Sequence, residues 1–255
     1  MDYLNYGKKV QQKPQGFGNK VQLTKDDFSF GNLNQQTTKA QASPQTKDEL
    51  VQVFPTPILI CPCPFEYGKE LEWIKKQPTR KENKNAVTGE IFNRQSEDTF
   101  ILDKPEMLRI RQFFELKLKE FVVNIMGSDS EMVITQSWLN KNCKGESHNE
   151  HKHPNSMLSG VWYPQIHEKL PPIQFRNSKQ RDITLSIKKY NHFNSATFML
   201  PMKKGELIIF PSDLSHSVPT NHSNEERISL SFNTWCKGNL GDEKSLTYLP
   251  LDRCV

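Results

Sequence analysis

GESHNEHKHPNSMLSGVWY, residues 145–163, places three of the chain's seven histidines within six residues, directly ahead of a strand-like run. Side chains of an extended segment alternate between its two faces, so His151 and His153 are expected to point to the same side. Neutral imidazole is a good ligand for first-row metals. The pattern therefore predicts a metal site at a strand edge, built on this pair of histidines. An ordinary surface position is the alternative for each histidine, and their clustering makes it the weaker one.

A third ligand must come from elsewhere in the chain, and His216 is the best candidate. It follows the strand-like run in GELIIFPSDLSHSV, residues 205–218. A strand that ends in Phe-Pro-Ser places such a histidine at a rim, where it can turn inward and complete a facial set of ligands. The alternative is a histidine that merely occupies a turn.

Arg227 lies eleven residues beyond His216 and opens the strand in ERISLSFNT. Arg227, Ser229 and Ser231 share one face of this strand, because side chains alternate along it. A polar face on a buried strand needs a partner. A carboxylate supplies one, since guanidinium binds it through charge-assisted and often bidentate hydrogen bonds. The alternative for Arg227 is a surface ion pair with a neighbouring glutamate.

The segments HPNSMLSGVWYP, GELIIFPSDLSHSV and ERISLSFN resemble a family of putative 2-oxoglutarate/Fe(II)-dependent oxygenases of bacteria and marine cyanobacterial phages. The resemblance extends from Phe54 to Trp235. It implies a prolyl-hydroxylase-like double-stranded β-helix, with Fe(II) and 2-oxoglutarate as cofactors and dioxygen as a partner. It also implies an oxidoreductase that hydroxylates a C–H bond while 2-oxoglutarate becomes succinate and carbon dioxide.

The resemblance further implies a role for each candidate residue. Three histidines hold the metal, namely His151, His153 and His216. An arginine, two serines and a tyrosine orient 2-oxoglutarate, namely Arg227, Ser229, Ser231 and Tyr163.

The metal ligands depart from the family pattern, which is a histidine, a carboxylate two residues later and a distal histidine. HNEHKH offers two sets: His148 with Glu150, which fits that pattern, and His151 with His153, which replaces the carboxylate by an imidazole. We favour the second set. It adjoins the segment that resembles the family, and Gly145 precedes it at the spacing that related oxygenases show.

Two other function classes stay open. An all-histidine site also occurs in cupin-like metal-binding dioxygenases, which need no 2-oxoglutarate, and a functional Arg227 would argue against them. A non-catalytic barrel could serve as a binding or virion module. The substrate is not predicted: a peptide side chain, a nucleobase, a sugar and a small metabolite all fit, because specificity lies in loops such as 164–182 and 188–196.

Composition indicates one folded domain with a polar extension. The 255 residues are only 35% hydrophobic, with a mean hydropathy of −0.70, and polar residues are concentrated near the amino terminus. We predict a disordered extension at 1–49, an oxygenase-like domain at 50–240 and a tail at 241–255. The net charge of +5 gives no strong nucleic-acid signal, because no clustered positive stripe accompanies it.

The cellular compartment is indicated by the cysteines, by the lack of an export signal and by the lack of a long apolar run. Five cysteines fit no metal-finger spacing, and their odd number favours a reducing environment. We find neither an export signal nor a run of about 18 apolar residues, so no membrane span is expected. We predict a soluble cytoplasmic protein, located in the host cytoplasm if a phage encodes it.

Secondary-structure patterns place helices before strands. A short helix is predicted in FEYGKELEWIKKQ, turns over Asn83–Thr99, and a longer helix between an Asp103 cap and Gly127. Short β-branched and aromatic runs follow: MVITQSWLN, LSGVWYP, IQFR, ITLSIKKY, ATFMLP, GELIIFP and RISLSFNTW. The order predicts a mainly β, jelly-roll-like or cupin-type barrel with supporting helices. Its double-stranded β-helix form is what the family resemblance implies.

Overall fold

The computed structural model describes residues 53–84, 91–177 and 185–251, apart from the side chains of 81–84 and 91. The chain divides into two compact units, 1–56 and 57–255. Every helix and strand given below belongs to the second unit. The predicted disordered extension lies outside the described residues, and the predicted domain boundaries stay predictions.

Strands of the described residues form two antiparallel sheets that face each other. The larger sheet has the order β1-β9-β6-β11-β4-β3-β2, and the smaller has the order β5-β10-β7-β8. The strands are β1 Leu59–Pro62, β2 Thr79–Lys84, β3 Ile91–Ser96, β4 Met132–Asn142, β5 His148–His151, β6 Leu158–Gln165, β7 Ile173–Arg176, β8 Thr197–Leu200, β9 Glu206–Pro211, β10 His216–Val218 and β11 Arg227–Cys236. This architecture is a double-stranded β-helix, so the predicted fold class is confirmed.

The central strands of the larger sheet are buried on both faces, because helices cover one face and the smaller sheet covers the other. On β6, Trp162 packs with the helices, while its neighbours Val161 and Tyr163 pack between the two sheets. The period-two alternation of the sequence therefore divides one apolar run between two cores. The core between the sheets borders the site described below.

Two helices support the larger sheet: α1, Gly68–Lys76, and α2, Leu108–Asn124. α1 ends just before Pro78, and Gly127 beyond α2 adopts a left-handed φ of +67°, as predicted. One apolar stripe of α2 is buried, namely Ile110, Phe114, Leu118 and Phe121, whereas Ile125 beyond the helix is exposed. In the described ranges no helix has the length and hydropathy that a membrane span requires.

Several local predictions are wrong because tertiary pairing overrides local composition. Within Asn83–Thr99, predicted as turns, β3 pairs with β4 and extends the larger sheet. The described part of ITLSIKKY, 185–190, forms no strand and exposes Leu185. Asp103 caps no helix, because it lies in a short 3₁₀ turn and its carboxylate pairs with Arg111. The short strands β5 and β10 were not predicted.

Gly160 on β6 lies in close contact with the core beneath α2. A Cβ at this position would lie 2.1 Å from the Phe232 ring, which itself stacks on Phe114 at a centroid distance of 5.1 Å. We expect Gly160→Ala to destabilise the fold by about 1–3 kcal/mol or more, because neither ring can move without overpacking. The measurement is the urea midpoint of unfolding. Gly68→Ala is the matched control, since a Cβ there meets open space, and equal midpoints for both variants would contradict this packing argument.

Candidate metal and co-substrate site

The histidine-rich segment forms β5 and the turn that follows it. His151 pairs with His216 on β10, whereas His148 pairs with Val218. The two pairs are three residues apart on β5 but only two residues apart on β10. The extra residue on β5 forms a β-bulge. The extra residue turns His148 and His151 to the same side, although regular alternation would put them on opposite sides. The bulge therefore brings both imidazoles into the space between the sheets.

His151, His153 and His216 form a compact group. Their candidate ligand nitrogens all lie within 4.8 Å of one another. The ring centroids are 5.2 Å apart for His151 and His153, 5.0 Å for His153 and His216, and 4.3 Å for His151 and His216. Metal–nitrogen bonds of about 2.0–2.1 Å require nitrogens about 3–3.5 Å apart. Small side-chain movements can therefore close this group around one ion.

The Nδ1 atom of each ring in this group is already engaged. His151 Nδ1 donates to the Asn149 carbonyl oxygen at 2.7 Å, and His216 Nδ1 donates to the Leu214 carbonyl oxygen at 2.9 Å. His153 Nδ1 donates to the side-chain Oδ1 of Asn233 at 2.5 Å. Such bonds fix the tautomer and leave Nε2 as the lone-pair donor, which is the arrangement found around metal-bound histidines.

Burial favours the neutral, metal-binding form of these imidazoles. Burial lowers the pKa of His151 and of His153 below the usual value. Burial together with the neighbouring imidazoles lowers the pKa of His216 to about 3. At neutral pH the three rings are therefore uncharged and need not release a proton before binding a metal.

The alternative ligand pair does not converge in the same way. His148 stacks on His151, with ring centroids 4.3 Å apart, and lies on the same side of β5. Glu150 points away: its carboxylate accepts hydrogen bonds from Arg176 Nε at 2.7 Å and from the Ser215 hydroxyl at 2.8 Å. Both bonds lower the pKa of Glu150. The carboxylate of the conventional pattern is thus engaged on the outside of the barrel.

Arg227 is the first residue of β11. Its side chain lies inside the barrel, and only 2% of its surface is exposed. Nε donates to the Pro171 carbonyl oxygen at 3.2 Å, and Nη1 donates to Asn142 Oδ1 at 3.4 Å and to Ser229 Oγ at 3.1 Å. Among the described residues no carboxylate forms an ion pair with it. The surface ion pair considered from the sequence is therefore not formed; Glu225 pairs with His167 instead.

Tyr163 lies beside Arg227 and is fully buried. The Arg227 guanidinium carbon is 5.1 Å from the centre of its ring. The two groups interact electrostatically, but within the described residues the Tyr163 hydroxyl has no hydrogen bond of acceptable geometry. Burial raises the pKa of Tyr163 to about 12, so the hydroxyl stays protonated. A buried cation without an anion and a buried hydroxyl without a partner are costly unless a ligand satisfies them.

The two predicted serines differ in their surroundings. Both are buried on the inner face of β11. Ser229 accepts from Arg227, whereas Ser231 accepts from Asn140 Nδ2 at 3.1 Å. Ser229 thus contacts the guanidinium of Arg227 directly, whereas Ser231 contacts the neighbouring strand β4 through Asn140.

Three further residues belong to the site, and the two asparagines among them escaped the sequence analysis. Asn142 contacts Arg227, Asn233 contacts His153, and Trp138 lies 5.6 Å from His153 between ring centroids. The Trp138 indole N–H is buried without a partner in the described part of the chain. A usable signal existed in β4, where Asn140 and Asn142 share one face of the strand with Gln136 and Trp138.

A family model described as putative 2OG-Fe(II) oxygenase matches residues 136–233. That segment resembles the 2OG-Fe(II) oxygenase family. It contains every histidine, arginine, serine and tyrosine assigned to the site above. The enzyme class that this match indicates is that of oxygenases that use Fe(II) and 2-oxoglutarate.

Solved structures of 2OG-Fe(II) oxygenases and related enzymes are similar in fold to this chain. An oxidoreductase of the 2OG-Fe(II) oxygenase family from Burkholderia pseudomallei aligns with a TM-score of 0.50 at 13% identity, covering 69% of this chain and 83% of that chain. HygX from Streptomyces hygroscopicus, with nickel and 2-oxoglutarate bound, gives 0.50 at 10% identity, covering 70% and 82%. The carbocyclase SnoK of nogalamycin biosynthesis gives 0.52 at 10% identity, covering 76% and 87%. No curated protein matches the sequence. At these identities the likeness supports the fold alone.

Proposed function

We propose that this protein is a 2-oxoglutarate- and Fe(II)-dependent dioxygenase that hydroxylates a C–H bond of its substrate. The observation that carries the proposal is the pairing of two features inside one barrel. Three neutral imidazoles converge at the mouth, and a buried guanidinium that no carboxylate of the described residues pairs with lies deeper on β11. A dicarboxylate that binds the metal at one end and the guanidinium at the other satisfies both.

His151, His153 and His216 are the proposed iron ligands. Each has its Nδ1 engaged, which leaves Nε2 to bind the metal, and the candidate ligand nitrogens lie within 4.8 Å of one another. Three protein ligands leave positions for 2-oxoglutarate and dioxygen. When bound, Fe(II) and 2-oxoglutarate supply the oxidising chemistry, in which 2-oxoglutarate is converted to succinate and carbon dioxide.

Arg227, Tyr163 and Ser229 are proposed to hold the distal carboxylate of 2-oxoglutarate. The hydrogen bonds given above use Nε and Nη1 of Arg227, and the Tyr163 hydroxyl beside it has no well-formed hydrogen bond among the described residues. Both can donate to a carboxylate, and Ser229 steadies the guanidinium. Ser231 is proposed to line the same channel one step closer to the metal.

Apolar side chains complete the enclosure of the metal site. Phe210 and Phe175 place their rings 5.1 Å and 6.1 Å from the ring of His216. Both belong to the core between the sheets. Their contribution is to keep bulk water from the inner side of the site and to strengthen the electrostatic contacts made there.

The substrate stays open among a peptide side chain, a nucleobase, a sugar and a small metabolite. Specificity is proposed to lie in the loops 164–182 and 188–196, of which 178–182 falls outside the described residues. We also propose a cytoplasmic location. Free thiols at Cys61, Cys63 and Cys143 support it, because such thiols persist in reducing compartments.

The test is an anaerobic titration of purified protein with Fe(II) and then with 2-oxoglutarate. We expect a visible charge-transfer band that appears only when both are present, and its amplitude reports 2-oxoglutarate binding. Iron binding without the band would favour a metal-binding barrel that does not use 2-oxoglutarate. Absence of iron binding would remove the enzyme proposal altogether.

A further inference from the structure

The geometry points to Asn233 as a positioning residue that fixes the tautomer and orientation of His153 for metal binding. The inference rests on the proposed function, because it takes His153 as a metal ligand. It concerns a residue of β11 to which the sequence drew no attention.

His153 is held differently from the other two histidines. His151 and His216 each donate Nδ1–H to the backbone carbonyl two residues earlier in the chain. His153 has no such backbone acceptor and donates instead to Asn233 Oδ1, eighty residues away, at 2.5 Å. Its tautomer therefore depends on one side chain, and that dependence can be removed by mutation.

Asn233 is itself held in place by a chain of hydroxyls. Its Oδ1 also accepts from Ser159 Oγ at 3.2 Å, and Ser159 Oγ lies 2.7 Å from Ser212 Oγ. Ser212 Oγ lies 2.8 Å from Ser156 Oγ. Asn233 and Ser159 are paired across β11 and β6, so the sheet register fixes their relative position. Two donors on one oxygen orient the carboxamide with Oδ1 toward the imidazole.

The same network holds the backbone of the metal-site turn. The His153 amide donates to the Ser212 carbonyl oxygen at 3.0 Å. The ring is therefore fixed at both ends, by its main chain through Ser212 and by Nδ1 through Asn233. On the other side Trp138 packs against it, with ring planes 36° apart. Such supporting contacts orient a ligand and raise its basicity.

The experiment measures Co(II) affinity in the full-length protein without 2-oxoglutarate, by calorimetry, in four variants. Asn233→Leu removes the acceptor at nearly constant volume, and Asn233→Asp keeps an acceptor of greater strength. Ser159→Ala removes the second bond to Asn233. Asn140→Leu is the matched control, because Asn140 is a buried asparagine of the adjacent strand that bonds to Asn93 and Ser231 and to no histidine. Thermal unfolding of each metal-free variant reports any loss of folding.

We expect Asn233→Leu to weaken Co(II) binding by about 10–100-fold relative to Asn140→Leu, the range typical of lost supporting contacts. Ser159→Ala should give a smaller loss. Asn233→Asp should retain affinity and move the Fe(II)–2-oxoglutarate charge-transfer band to longer wavelength, because a carboxylate makes the imidazole a stronger electron donor. If Asn233 mattered only for packing, Asn233→Leu would not lose Co(II) affinity while Asn233→Asp kept it and shifted the band.

Equal Co(II) affinity in Asn233→Leu and wild type would overturn the inference and leave the proposed function standing. So would an Asn233→Asp variant that loses as much affinity as Asn233→Leu without moving the band. A folded wild-type protein that binds no Co(II) and no Fe(II) would overturn the proposed function, and the inference with it.

Discussion

Replacing Arg227 by alanine is expected to abolish most 2-oxoglutarate binding while iron binding survives. The guanidinium is buried, has no carboxylate partner among the described residues and faces an unpartnered tyrosine hydroxyl. Loss of a buried, charge-assisted contact costs about 2–5 kcal/mol, which corresponds to about tens- to thousands-fold in affinity. The measurement is the 2-oxoglutarate dependence of the charge-transfer band and of uncoupled succinate formation, with iron content determined in parallel.

Two further variants sharpen the test of Arg227. Arg227→Lys should rescue poorly, because a compact ammonium cannot reproduce the planar guanidinium that reaches Pro171, Asn142 and Ser229. Arg176→Ala removes an exposed arginine whose ion pair with Glu150 faces outward, so it should leave 2-oxoglutarate affinity unchanged. If Arg227→Ala binds 2-oxoglutarate as the wild type does, the co-substrate has no place in the mechanism.

Single alanine substitutions of His151, His153 and His216 are expected to reduce iron affinity the most. Each removes one of three converging nitrogens, and the loss should exceed the about 10–100-fold that removal of a supporting group costs. The folded barrel should persist, because none of the three belongs to the two apolar cores. Anaerobic Fe(II) titration measures the affinity, and circular dichroism reports the fold.

His148→Ala and Glu150→Ala are the matched controls for the ligand set. Both residues belong to the same strand, but the Glu150 carboxylate is engaged by Arg176 and Ser215. We expect iron affinity close to that of the wild type in both variants. If Glu150→Ala loses iron while His153→Ala retains it, the ligands are the conventional His148 and Glu150 pair, and the assignment made above is wrong.

The fold class could be predicted because its signals are local. Strand alternation in RISLS, the helical period of α2 and the proline after α1 each act within a few residues of chain. The same locality explains the errors. β3 was taken for a turn because its polar residues are satisfied by β4, which lies far along the chain. Nothing within residues 83–99 records that partner.

The candidate site was predictable to a similar extent and for the same reason. The sequence located the two candidate ligand pairs, the distal His216 and the polar face of Arg227. It favoured His151 with His153 but could not show how either pair is oriented, because the orientation depends on a bulge in β5 that exists only when β10 is its partner. The assignment of iron to one pair stays a proposal until the substitutions are made.

The sequence by itself determined which chemistry this protein can hold: imidazoles at the close spacing of His151 and His153, and a cation on a strand that must be buried. Only the tertiary structure decided how those groups meet. It turned Glu150 outward to Arg176, and it placed Asn233 against a histidine eighty residues away. The physical reason is that hydrogen bonds and burial act over a few ångströms in space, whereas sequence patterns record neighbours along the chain.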